Sequence, residues 1–159
     1  MIDNSSDNST AGLPSHLKNE RDFLRSFIAL LEKEQQALLV QDSEQLLTLA
    51  DAKNQSVNKL AELSNIRRRH MNLDAAKLDT ATWIQKNAPS CLGMWDEVRE
   101  LAARAHHLNQ TNGEVIQLKL RSNQQALTVL LGASQSAAGL YGRDGQPSLP
   151  ITGRTLGNG

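Results

Sequence analysis

Between Ser15 and Leu92 the chain has no glycine, and proline is missing from Ser15 to Ala88 and again from Ser90 to Gln146. Glycine interrupts regular structure through its backbone freedom, and proline through its fixed φ and missing N–H, so stretches without either can run as unbroken helices. Six of the ten glycines fall after Ala138, which leaves a loose end there. Leu and Ala outnumber Val and Ile roughly fourfold, and only 3% of residues are aromatic, a balance that favours helices packed through aliphatic ridges over sheets. A β-sandwich or barrel is excluded. The expectation is an all-α chain: an antiparallel up-and-down helical bundle of three long helices plus one short helix.

Residues 1–12 are mostly Asn, Ser, Asp and Thr, too polar to bury what would offset the entropy of ordering them, and predict a disordered N-terminal tail. The helical domain is expected over 13–140, and a flexible tail containing Gly and Pro over 141–159. After Pro14, with Ser15 as candidate cap, Leu17, Leu24, Leu31 and Leu38 recur every seven residues, joined by Phe23, Phe27, Ile28, Leu30 and Leu39, and predict a long amphipathic helix. Asp42 and Ser43 supply capping oxygens before a second apolar run from Leu46 to Ile66. So short a connection predicts that the second helix returns antiparallel to the first. That helix loses its stripe at Arg67-Arg68-Arg69-His70, read here as a solvated basic end favoured by the helix dipole. A short third helix is expected from Asp74 or Ala75 to Lys86, capped by Asp74, anchored by Trp83 and Ile84 and stopped by Asn87-Ala88-Pro89. From Met94 the apolar pattern predicts one last helix of about forty-five residues, roughly 65 Å long, with Asn112-Gly113 as the place for a kink.

Charge and chemistry narrow the function classes. The 17 basic residues balance 17 acidic ones, so no overall field draws the chain to nucleic acid or to an anionic membrane. No stretch of apolar residues is long enough to span a bilayer, and no secretory signal is evident, which predicts a cytoplasmic protein. The lone Cys91 has no partner for an internal disulfide and no activating neighbour, and reads as a structural thiol. His106 and His107 are adjacent and therefore point about 100° apart on a helix, so they cannot chelate a metal as an i, i+4 pair can. No phosphate loop, clustered carboxylates or metal-ligand spacing appears. The reading is of a non-enzyme without cofactor or metal.

The last helix carries the strongest signal. With Val115 at zero and 100° per residue, Val115, Leu118, Ala126, Val129, Ala133, Ala137 and Leu140 lie within about 60° of the origin, a stripe of the kind that packs into a bundle. Ile116, Leu120, Leu127, Leu131 and Ala138 form a second stripe at about 100–160°, with Leu130 between the two. The apolar arc spans roughly 220°, twice what a helix laid on one surface hides. Either the other helices surround this one and bury both stripes, or the excess is covered from outside. In the second case the short third helix leaves a groove in which a partner's amphipathic helix docks.

Asn109-Gln110-Thr111-Asn112 opens the strongly apolar part of the last helix, and Leu140-Tyr141-Gly142-Arg143-Asp144-Gly145 ends it. Together with two long leading helices, these features resemble the FlgN family of flagellar export chaperones. Its members carry Asn-x-x-Asn before the C-terminal amphipathic helix and Tyr-Gly-x-x-Gly after it. The resemblance covers roughly residues 15 to 146 and places Asn109, Asn112, Gly142 and Gly145 on the family motifs. It implies a chaperone of flagellar type III secretion that holds hook–filament junction proteins before export. It further implies that Ile116, Leu120, Leu127, Leu130 and Leu131 engage the client's C-terminal helical segment, and that Tyr141 contacts the export gate. Homo-oligomerisation through the C-terminal helix is the competing use of the same stripe, as in a self-associating coiled-coil scaffold without a client.

Overall fold

A computed structural model of the chain describes residues 11–73 and 78–140, and for 135–140 the backbone alone. The described residues are all-α, with no strand among them. The elements are α1 (Leu13–Val40), α2 (Ser43–His70), α3 (Thr80–Asn87), a 3-10 turn (Pro89–Cys91) and α4 (Leu92–Leu140). Two units divide the chain, 1–116 and 117–159.

Helix α1 starts two residues ahead of Ser15. Gly12 is its N-cap, makes no side-chain capping bond and is followed by Pro14 in the first turn, where a missing N–H is harmless because no intrahelical partner exists there. Gln41 ends the helix in a left-handed conformation at φ 60°, and the next N–H, of Asp42, bonds back to the Ala37 carbonyl at 3.0 Å. Asp42 then opens α2, its Oδ1 accepting the Gln45 N–H at 3.0 Å, the bond that satisfies an orphan donor of the first turn. The third helix starts later than expected. Asp79, rather than Asp74, caps it, accepting both the N–H and the hydroxyl of Thr82. Positions 74–77 lie outside the described residues, as do 1–10 of the expected N-terminal tail and the whole of 141–159.

The core of the first unit is built on the heptad stripe of α1, where Leu13, Leu17, Leu24, Phe27, Ile28 and Leu31 are buried with Met71, Leu73, Trp83, Ile84, Cys91, Val98 and Ala105. Each large aliphatic withdrawn from water contributes about 1.5–3 kcal/mol. Leu39, at the end of the predicted stripe, is instead exposed. Polar links set the register. Glu20 meets Arg67 and Glu34 meets Lys53, so rising numbers in α1 oppose falling numbers in α2. Against α4 the numbers rise together, with Arg25 at Glu97 and Glu32 at Arg104. Helix α4 passes through Asn112 and Gly113 without a break.

Candidate partner-binding surface

The basic run at the end of α2 is not a uniformly solvated end. Arg67 is 5% exposed. Its Nε donates to Glu20 Oε2 at 2.7 Å and its Nη2 to Glu20 Oε1 at 3.3 Å, a forked contact with one carboxylate. The remaining donors reach Thr80 Oγ1 and Ser64 Oγ, and the guanidinium carbon lies 4.5 Å from the centre of the Trp95 ring. A charge this far from water persists only when its hydrogen bonds are filled. Arg68 and Arg69 remain exposed.

The two motif asparagines separate. Asn109 is exposed, whereas Asn112 is fully buried. Asn112 Nδ2 donates to the Leu31 carbonyl and to Glu34 Oε2, both at 2.9 Å, while Glu34 Oε1 accepts from Lys53 Nζ at 2.7 Å. One buried carboxylate thus ties α1, α2 and α4 together. Glu20 and Glu34 both sit in the leucine stripe of α1, and a carboxylate on a buried face is the sequence signal that an internal donor exists. A cavity of about 460 Å³ opens beside the Glu20–Arg67 pair, lined by Leu24, Phe27, Leu60, Trp95 and Val98 among others.

At the start of α1, the rings of His16 and His70 stand 4.7 Å apart, centre to centre. Burial first, and the neighbouring His70 second, hold the His16 pKa below its ordinary 6.5, with Glu20 pulling the other way. The folded protein therefore binds fewer protons at His16 than the unfolded chain. Its contribution to stability is intact above pH 6.5 and is lost as pH falls through the lowered folded value. His16→Gln is expected to flatten the fall in thermal midpoint between about pH 7 and pH 5. Melting curves that drop equally in both proteins contradict this.

All five apolar candidates on α4 face water. Ile116 is 38% exposed, and in the second unit Leu120 is 49%, Leu127 58%, Leu130 67% and Leu131 57% exposed. The other stripe was expected to pack inward, yet Leu118 and Val129 are also exposed, as are Ala126 and Ala133. A helical wheel gives the angular width of an apolar arc and carries no information on whether that arc is covered. Tyr141, Gly142 and Gly145 lie outside the described residues, and no side-chain position is given for Ala137, Ala138 or Leu140. No described helix is long and apolar enough to cross a membrane. Among the described residues no group of three His, Cys, Asp or Glu could hold a metal ion. Cys91 is buried and free.

Comparison with curated proteins and with solved structures found no match. Comparison with family models matched the one described as FlgN protein over residues 9–148. That span takes in α1 to α4, the buried Asn112 and every exposed leucine of the candidate surface. The chain belongs to the FlgN family, the flagellar export chaperones.

Proposed function

We propose that the protein is a cytoplasmic chaperone of flagellar type III export. It holds hook–filament junction proteins by their C-terminal amphipathic segments, prevents their premature assembly and delivers them to the export gate. The scaffold in this reading is an antiparallel up-and-down bundle of three long helices and one short one, consistent with the directions of the polar links between α1, α2 and α4. The observation that carries the reading is the exposed row Ile116, Leu120, Leu127, Leu130 and Leu131, because a soluble chain rarely leaves so many large aliphatics in water without a use. Tyr141 is proposed as the gate contact on the family resemblance alone.

Binding then follows from coupled folding. A disordered client segment loses conformational entropy when it docks, which limits affinity and leaves a complex that export machinery can take apart. Submicromolar binding requires more than about 8 kcal/mol, within reach of several buried leucines after the ordering cost. Mixing the chain with the C-terminal peptide of a hook–filament junction protein is expected to raise the helical circular dichroism signal above the sum of the parts. A spectrum equal to that sum contradicts the reading. The exposure of Leu118 and Val129 favours one alternative, self-association through α4 without a client, and sedimentation that shifts with concentration would identify it.

A further inference from the structure

The exposed face of α4 has a charge as well as a shape. Between Glu114 and Asp144 the sequence has no acidic residue, while it carries Lys119, Arg121 and Arg143. Among the described residues, neither Lys119 nor Arg121 forms an ion pair. On the wheel that has Val115 at zero, Lys119 falls at about 40°, inside the apolar arc and on the side of the first stripe that borders the second, whereas Arg121 falls at about 240°, on the opposite side. Lys119 is half-buried, and Leu118 and Leu120 on either side of it are exposed. A segment covering this face would therefore cover a lysine ammonium together with the leucines.

Resting on the docking reading above, we propose that the occupant is an amphipathic helix bearing carboxylates, one of which pairs with Lys119. An ammonium placed under an apolar partner loses water without recompense, whereas a carboxylate at that position restores its hydrogen bonds and charge balance. A second copy of this chain is the poorer occupant, because its own α4 would bring the same cations and no carboxylate from this stretch. Lys119 on this account selects among apolar segments, and the leucines hold whichever is selected.

The test uses two synthetic helical peptides with the same leucine pattern, one with Glu and one with Gln beside the leucines, titrated calorimetrically into the full chain. At low salt the Glu peptide is expected to bind about fivefold tighter, the scale of one partly exposed ion pair, and the preference is expected to shrink at about 0.5 M salt. Lys119→Gln is expected to remove the preference and Lys119→Glu to reverse it. Equal affinities for the unaltered chain, or a preference that survives Lys119→Glu, overturn the proposal. If binding is equal but is abolished by Leu127→Asp, docking on this face stands and charge selection falls. Binding of neither peptide, or binding indifferent to Leu127→Asp, overturns both.

Discussion

Arg67→Ala is expected to lower folding stability by about 3–5 kcal/mol, because it leaves the Glu20 carboxylate buried without its partner. Both side chains are less than a tenth exposed, so water cannot replace the lost donors. The same change frees Thr80 Oγ1 and Ser64 Oγ and removes the cation from the Trp95 ring. Urea unfolding followed by tryptophan fluorescence reads the loss. A fall below about 1 kcal/mol would mean that the pair is solvated and stabilises no more than a surface bridge. The paired replacement Glu20→Leu with Arg67→Met is expected to recover much of the loss, since two apolar side chains of similar volume carry no desolvation cost.

Leu127→Asp combined with Leu131→Asp is expected to weaken client binding by more than about a hundredfold, since each leucine covered by a partner is worth about 1.5–3 kcal/mol. The charges added face water in the free chain, where Leu127 and Leu131 are already more than half exposed. Folding of the first unit should stay within about 0.5 kcal/mol of the parent. Titration of a junction-protein C-terminal peptide measures the first quantity and fluorescence-monitored unfolding the second. Retained affinity removes these leucines from the binding surface. Lost affinity accompanied by lost stability shows instead that the two leucines support the fold.

Much of the helical layout is legible in the order of residues, because its causes are local. Spacing of Leu17, Leu24 and Leu31 specifies one buried face, and Asp42 can cap α2 with its own side chain three residues from the N–H it accepts. Where the structure differs from that reading, the cause is distant at Arg67 and local at the start of α3. Arg67 resembles its solvated neighbours Arg68 and Arg69 until Glu20, 47 positions earlier, is brought against it. Asn112 was placed by motif, and its bonds to Leu31 and Glu34 depend on α1 and α4 lying side by side. The choice of Asp79 over Asp74 as cap turned on Thr82, whose N–H and hydroxyl both reach the Asp79 carboxylate. The first α4 stripe is predicted to pack and is exposed at Leu118, Ala126, Val129 and Ala133, because an amphipathic angle specifies which face is apolar and not what covers it.

Both tryptophans, Trp83 and Trp95, belong to the first unit, whereas α4 continues through the second with side chains exposed on every face from Arg121 to Ser134. A helix that buries nothing relies on propensity, and stretches of about 12–15 residues are marginal on that basis alone. Coincidence of different probes is the mark of all-or-none unfolding, and opening free energies vary across one structure. Indole emission and backbone ellipticity are consequently expected to trace different denaturation curves in this chain, and the amide hydrogens between Arg121 and Ser134 to exchange with solvent well before those beneath Leu31.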